Sequence, residues 1–109
     1  MLMYKITIGG FVLNYRNEQT DKLFEAILGL KDVDDCYKFF DDLCTVKEIL
    51  DMAQRLEAAC RLNKGQNYLD ISKEIGISTA TISRVSKCLN YGSGGYKAAI
   101  ERLDSNENK

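Results

Sequence analysis

The side chains best suited to chemistry in this sequence are short polar and basic groups that cluster between residues 67 and 89. Arginine and lysine bind phosphates, whereas hydroxyl and methyl groups can meet base edges and thymine methyls in the major groove of DNA. The candidate DNA-contacting set is Lys73, Ser78, Thr79, Ala80, Thr81, Ser83, Arg84 and Lys87. Because most of these side chains are short, water-mediated contacts and DNA shape would supply part of any sequence specificity.

A helix-turn-helix over residues 67–89 is predicted to hold this set on one surface. Gly76 would form the turn, because glycine adopts a positive φ without a Cβ clash. Ser72 is small where the two helices would approach, and Ser78 or Thr79 would cap the second helix. The apolar residues at the spacing of a shared seam are Ile71, Ile75, Ile77, Ile82 and Val85. A plain helical hairpin with a solvated outer face would share part of this pattern, but the complete set favours a DNA-facing motif.

Length and periodicity predict one all-α domain. The chain has 109 residues and no proline, and apolar residues recur at helical spacing through most of it. Its net charge of −1 is unevenly distributed: residues 1–54 have six basic and ten acidic side chains, whereas residues 55–102 have eight and four. The helix-turn-helix lies in the positive half, so a nucleic acid would meet one localised basic face.

The sequence offers little for catalysis or metal binding. There is no histidine, and the cysteines are too widely spaced for a typical zinc site. We therefore expect no enzyme activity, no metal and no cofactor. No segment is long enough to span a membrane, so we expect a cytoplasmic protein whose reduced thiols pack as small apolar side chains. The cysteines are Cys36, Cys44, Cys60 and Cys88.

Helix start signals organise the first part of the chain. Residues 1–18 break the helical pattern and would form a strand, a hairpin or a poorly ordered arm. Thr20 or Asp21 would cap a first helix that ends near Leu28, and Asp32 would open a second helix with an unusually aromatic face. That face consists of Cys36, Tyr37, Phe39, Phe40 and Leu43. Two short helices of this kind would need a partner to cover them.

The third helix has the clearest start signal, a capping box formed by Thr45 and Glu48, and it would end at Gly65. After the helix-turn-helix, a glycine-rich stretch would turn the chain into a last helix from Tyr96 to about Leu103. No strand precedes this stretch, and no Lys-Ser or Lys-Thr pair follows it, as a phosphate-binding loop would need. The expected division is an arm of residues 1–18, a helix-turn-helix domain of residues 19–103 and a polar tail of residues 104–109.

The chain resembles the Trp repressor superfamily, in particular its TrpR-related YerC/YecD-type branch in Gram-positive bacteria. The resemblance is carried by LFEAILGL (23–30), FFDDLCTVKEI (39–49), AQRLEAACRL (53–62) and TATISRVSKCLNYGSGGY (79–96). The likeness covers residues 20–103. It implies an intertwined all-helical homodimer whose paired recognition helices, about one DNA turn apart, bind a roughly palindromic operator.

The resemblance also implies an effector pocket, because the best-known member of the family is switched by L-tryptophan held between two arginines. Arg55 and Arg84 fall at those arginine positions, and Thr45 falls at a third pocket position. The glycine that leaves room for the indole ring is Val85 here, and a nearby serine is Cys88. Since a β-branched side chain would occupy the volume that the indole needs, we expect that tryptophan is not the effector.

Two interpretations of function remain open. The first is a sequence-specific transcriptional regulator, a repressor, that binds double-stranded DNA as a homodimer. The second is a protein-interaction module that keeps the helix-turn-helix fold without specific DNA binding, which the acidic net charge would favour. Charge reversal at Arg84 would separate the two, because only the first depends on a phosphate contact there.

Overall fold

The computed structural model describes residues 6–8, 11–13 and 15–107, and in this part of the chain six helices follow two short strands. The elements are β1 Ile6–Ile8, β2 Phe11–Leu13, α1 Glu18–Leu28, α2 Val33–Leu43, α3 Val46–Asn63, α4 Tyr68–Ile75, α5 Thr79–Tyr91 and α6 Gly95–Glu107. The predicted all-α fold is confirmed. Within the expected arm of residues 1–18, β1 and β2 pair as an antiparallel hairpin, with Ile6 opposite Leu13. The expectations for residues 1–5, 9–10 and 14 lie outside the described residues.

The chain divides into two compact units, residues 1–45 and 46–109. The first contains the hairpin, α1 and α2, and the second contains α3 to α6. The expected domain start at residue 19 lies one residue after the beginning of α1 and not at the boundary between the units, and the predicted domain limits stay predictions. Among the described residues, no helix combines the length and apolar character needed to cross a bilayer.

The expectation that Thr20 or Asp21 caps α1 is wrong, because the helix begins at Glu18 with Asn17 as its cap. Asn17 Oδ1 accepts a hydrogen bond from the Thr20 amide at 2.9 Å, and Thr20 Oγ1 accepts one from the Asn17 amide at 2.8 Å. Thr20 is therefore the second partner of a capping box. Asparagine is a stronger cap than threonine, so the helix begins three residues earlier in the chain than predicted.

The apolar faces of α1 and α2 are uncovered in the single chain. No residue of either helix is buried, and the exposed fraction is 84% for Leu28 and 62% for Tyr37. Phe39 and Phe40 meet edge to face, with ring centroids 5.6 Å apart. The cap of α2 is Asp32, as predicted. Surfaces with this much exposed apolar area typically mark contact sites. The partner that the sequence predicts for these helices stays a prediction.

α3 is the central helix of the second unit, and it packs against α4, α5 and α6. The small side chains of Ala58 and Ala59 have no exposed surface, so the other helices can approach α3 closely. The buried core consists of Ala58, Ala59, Ile71, Ile82, Val85, Leu89 and Ile100. α3 ends at Asn63, and Gly65 follows with φ of 91°. The predicted helix limits at Thr45 and Gly65 are confirmed.

The last helix is longer than the sequence predicted. α6 continues to Glu107, whereas the expected end was near Leu103, with a frayed tail beyond it. Ile100 is buried and anchors the helix in the core. Once a helix is nucleated, each added residue contributes a hydrogen bond at little cost, so the polar residues 104–107 extend the existing helix.

Gly92 is required where α5 gives way to α6. A Cβ at this position would overlap the carbonyl oxygen of Cys88, which accepts a hydrogen bond from the Gly92 amide at 2.9 Å. We therefore expect Gly92→Ala to lower the free energy of unfolding by about 1–3 kcal/mol in denaturant titrations. Gly95→Ala is the matched control, because a Cβ there meets nothing within 4 Å. Equal stability of the two variants would contradict the prediction.

Candidate nucleic-acid interface

The turn of the helix-turn-helix is held by its backbone conformation and by short hydrogen bonds. Gly76 follows α4 with φ of 72° and ψ of 34°, the left-handed region predicted for the turn glycine. Its amide donates to the Ser72 carbonyl at 2.9 Å, and the Ser72 hydroxyl donates to the Ile77 carbonyl at 2.6 Å. Ser72 thus does more than leave space between the helices, because it also ties α4 to the first residue after the turn.

Ser78, rather than Thr79, is the cap of α5. The Ser78 hydroxyl accepts a hydrogen bond from the Thr81 amide at 3.1 Å and lies 3.0 Å from the Thr81 hydroxyl. Thr79 is the first residue of the helix and is exposed. Ser78 and Thr81 therefore hold the first turn of α5 in addition to belonging to the candidate DNA-contacting set.

The two faces of α5 have opposite character. Ile82 is fully buried and Val85 nearly so, and both belong to the same core cluster as Ile71 of α4. Ile75 and Ile77 are half-buried and pack against this core. The predicted seam is therefore confirmed. The opposite face exposes Thr79, Ala80, Ser83, Arg84 and Lys87.

Within the described residues, no carboxylate neutralises the cations of this surface. Within residues 15–107, Arg84, Lys87 and Lys73 have no ion pair to an aspartate or glutamate oxygen within 4 Å. All three side chains are exposed. Cations without an intramolecular partner retain their charge for charge-assisted hydrogen bonds to phosphate.

A cavity of about 600 Å³ lies between α3 and α5. It brings together four of the predicted effector-pocket residues, namely Arg55, Arg84, Val85 and Cys88. Thr45 belongs to the other compact unit, and its place in the pocket stays a prediction. The lining residues that the sequence did not assign to the pocket are Lys47, Asp51, Gln54, Ile77, Ser78, Thr81 and Tyr96. Lys47 and Asp51 precede Arg55 by eight and four residues on α3, so the helical periodicity contained a signal for these two.

The cavity combines positive charge with an apolar wall. Lys47 Nζ lies 2.8 Å from Asp51 Oδ2, so the one carboxylate in the lining is already paired within α3. Arg55 and Arg84 have no such pair in the described part of the chain. The apolar wall consists of Ile77, Val85 and Tyr96. This lining suits a small anion with an apolar body.

An ion-pair cluster attaches α4 to the end of α3. Arg61 Nε lies 2.8 Å from Glu57 on its own helix, and a second guanidinium nitrogen pairs with Glu74 on α4. Gln66 Nε2 donates to the same Glu74 carboxylate at 2.8 Å. The hydrogen bond to Glu57 raises the pKa of Arg61. The cluster is outside the candidate DNA-contacting set and contributes to holding the motif on α3.

The cysteines are less well packed than expected. Cys36 and Cys88 are exposed, and Cys44 and Cys60 are only partly buried; all four are free thiols. The expectation of packed thiols is wrong for Cys36 and Cys88, since Cys36 lies on the uncovered α2 and Cys88 faces the cavity. Burial, followed by the charge of Glu57, raises the pKa of the Cys60 thiol. Among the described residues, no group of three or more potential ligands is placed to hold a metal ion.

Known proteins resemble this chain over most of its helical part. Residues 18–104 match the family model described as Trp repressor protein. The uncharacterized protein YerC of Bacillus subtilis (strain 168) is 53% identical over 92 residues, which are 84% of this chain and 88% of YerC. The crystal structure of a TrpR-like protein from Eubacterium eligens ATCC 27750 has a TM-score of 0.79 at 50% identity, covering 82% of this chain and 92% of that one. A candidate Trp repressor from Staphylococcus aureus has a TM-score of 0.79 at 46% identity, covering 82% and 89%.

Proposed function

The chain belongs to the Trp repressor family of DNA-binding regulators, and from that premise we propose that it is a sequence-specific transcriptional repressor acting on a palindromic operator. The observation that carries the proposal is the exposed face of α5. Arg84 and Lys87 there have no ion pair in the described residues, while Ile82 and Val85 fix the opposite face in the core. A rigid helix that presents uncompensated cations and small polar side chains fits the major groove.

A homodimer is part of the same proposal. Its support is the uncovered apolar surface of α1 and α2, which includes the exposed Phe24, Leu28 and Tyr37. A second copy of the chain could cover such a surface symmetrically. In a two-fold dimer, two recognition helices about 34 Å apart would meet successive major grooves, which is why the operator would be palindromic. We place this protein in the cytoplasm, where its DNA target would be.

Enrichment from fragmented genomic DNA tests the proposal. The purified full chain is incubated with fragments at low and at moderate salt, and the bound fragments are sequenced. We expect a small set of palindromic sites whose retention falls steeply with salt, because phosphate contacts release counterions. Enrichment of no sites at low salt, both without and with small organic anions added as candidate effectors, would remove the support for a DNA-binding repressor.

One observation favours a second candidate function, a protein-interaction module. Large apolar side chains are exposed at both helices of the motif: Leu69 on α4 is 66% exposed, and Tyr91 at the end of α5 is 86% exposed. Apolar side chains do not bind phosphate, whereas a protein partner could bury them. If Arg84→Glu abolishes DNA binding, the repressor is supported. If Arg84→Glu leaves the DNA affinity unchanged and the chain captures a protein partner, the module is supported.

We propose that the cavity between α3 and α5 is an effector site that does not accept L-tryptophan. Val85 is almost fully buried in the wall where the indole ring would need space. In calorimetry with the full chain, we therefore expect tryptophan to give no binding at micromolar affinity. A micromolar dissociation constant would overturn the prediction. Arg55→Ala serves as the control, because any binding that it leaves unchanged does not depend on the arginine in this cavity.

A further inference from the structure

Both carbonyl groups that flank the turn glycine are bound by side chains. The Ile77 carbonyl, after Gly76, accepts from the Ser72 hydroxyl at 2.6 Å. The Ile75 carbonyl, before Gly76, accepts from Gln54 Nε2 at 3.2 Å. The two side chains differ in origin, since Ser72 belongs to α4 itself whereas Gln54 comes from α3. Only the second bond therefore ties the turn to another helix.

The Ile75 carbonyl needs such a donor. Ile75 is the last residue of α4, and the last carbonyls of a helix have no amide partner within it. The left-handed conformation at Gly76 turns the chain towards α5 immediately after this group. Gln54 is half-buried beside α4, so its amide supplies the missing hydrogen bond from a fixed position on the central helix.

We propose that Gln54 is a positioning residue for DNA recognition: it sets the turn, and through the turn the direction of α5, relative to α3. This inference rests on the proposed DNA-binding function. α5 presents the recognition surface, and a helix that leaves the turn at a different angle would carry Arg84 and Lys87 away from their phosphates. A displacement of this kind lowers affinity without removing any DNA-contacting side chain.

Gln54 also lines the cavity between α3 and α5, beside Arg55. The same side chain therefore touches both the proposed effector site and the turn. A bound molecule that drew the Gln54 amide away from the Ile75 carbonyl would loosen the turn, and one that held the amide in place would stabilise it. The cavity and the recognition helix are connected in this way by one side chain.

The test replaces Gln54 by methionine, which has a similar length and volume but no N–H donor. Gln66→Met is the matched control, because it removes a 2.8 Å hydrogen bond between another glutamine and α4 that does not reach the turn. Each full-length variant is assayed for binding to an enriched operator, for its thermal midpoint, and for hydrogen exchange at the Gly76 and Ile77 amides.

We expect Gln54→Met to bind the operator about tenfold more weakly than Gln66→Met, the effect of one lost hydrogen bond. The thermal midpoints of the two variants should be similar, and exchange at the turn amides should be faster only in Gln54→Met. Equal DNA affinity of the two variants would overturn the inference while leaving the proposed function intact. If the wild-type chain binds no operator, the proposed function fails, and unchanged exchange at the turn in Gln54→Met would then also reject the positioning role.

Discussion

Replacing both Arg84 and Lys87 by alanine is expected to weaken operator binding by about a hundredfold or more at moderate salt. Both side chains project from the exposed face of α5 and have no intramolecular ion pair in the described residues, so both are available for phosphate contacts; Arg84 also lines the cavity between α3 and α5. In a dimer the double variant removes four cations, and each phosphate contact is a charge-assisted hydrogen bond. The slope of log affinity against log salt should become shallower by about one for each lost contact.

The control for this variant is Lys97→Ala with Arg102→Ala. It removes the same charge from α6, where both side chains are exposed and lie outside the candidate DNA-contacting set. Affinity is measured by titration of labelled operator at several salt concentrations, with circular dichroism to confirm that both proteins are folded. If the two double variants lose affinity equally, net charge and not the face of α5 governs binding. If neither variant loses affinity, α5 is not the recognition helix.

The helix-turn-helix could be predicted from the sequence because its determinants are local. Gly76 marks a turn that needs a positive φ. Ile71, Ile82 and Val85 lie at helical spacings on either side of it, so that two crossed helices can bury them together. The start of α2 was predictable for the same reason, since an aspartate cap acts on an amide three residues away. The exposed polar face of α5 then follows, because whatever does not face the seam faces solvent.

Other features were missed. The predicted cap of α1 was three residues late although the signal is local, because Asn17 is a stronger cap than Thr20 and lies three residues before it. The end of α6 was set too early, since burial of Ile100 anchors residues that are poor helix formers by themselves. Gln54 was missed because its partner is a backbone carbonyl 21 residues away, which has no signature in side-chain spacing.

The cavity was predictable in part. Arg55 and Arg84 were identified through the resemblance to the Trp repressor superfamily, and they do line one cavity. The resemblance did not reveal that Lys47 and Asp51 neutralise each other at 2.8 Å, which leaves the two arginines as the uncompensated charges. The proposal that the site takes an anion therefore draws on the structure, whereas the two arginines of its lining were named through the resemblance.

The largest effect on stability is expected at Ile71, where α4 meets the core. Its side chain has no exposed surface, and it packs in one cluster with Ile82 and Val85 of α5. Ile71→Ala removes three carbons from a closely packed site and leaves a cavity, so the free energy of unfolding should fall by about 2–5 kcal/mol. Single domains have only about 5–15 kcal/mol of stability in total, so this variant should be partly unfolded at moderate temperature.

Leu69→Ala is the matched control, because it removes the same number of carbons two residues away on α4 from a side chain that is 66% exposed. Its unfolding free energy should stay within about 0.5 kcal/mol of the wild-type value. Urea titrations followed by circular dichroism measure both variants. A large loss in Leu69→Ala would mean that this residue is covered in solution, as the protein-interaction module would require. A small loss in Ile71→Ala would mean that α4 is not held by the core, and the fixed angle between α4 and α5 that DNA recognition needs would then lack its main support.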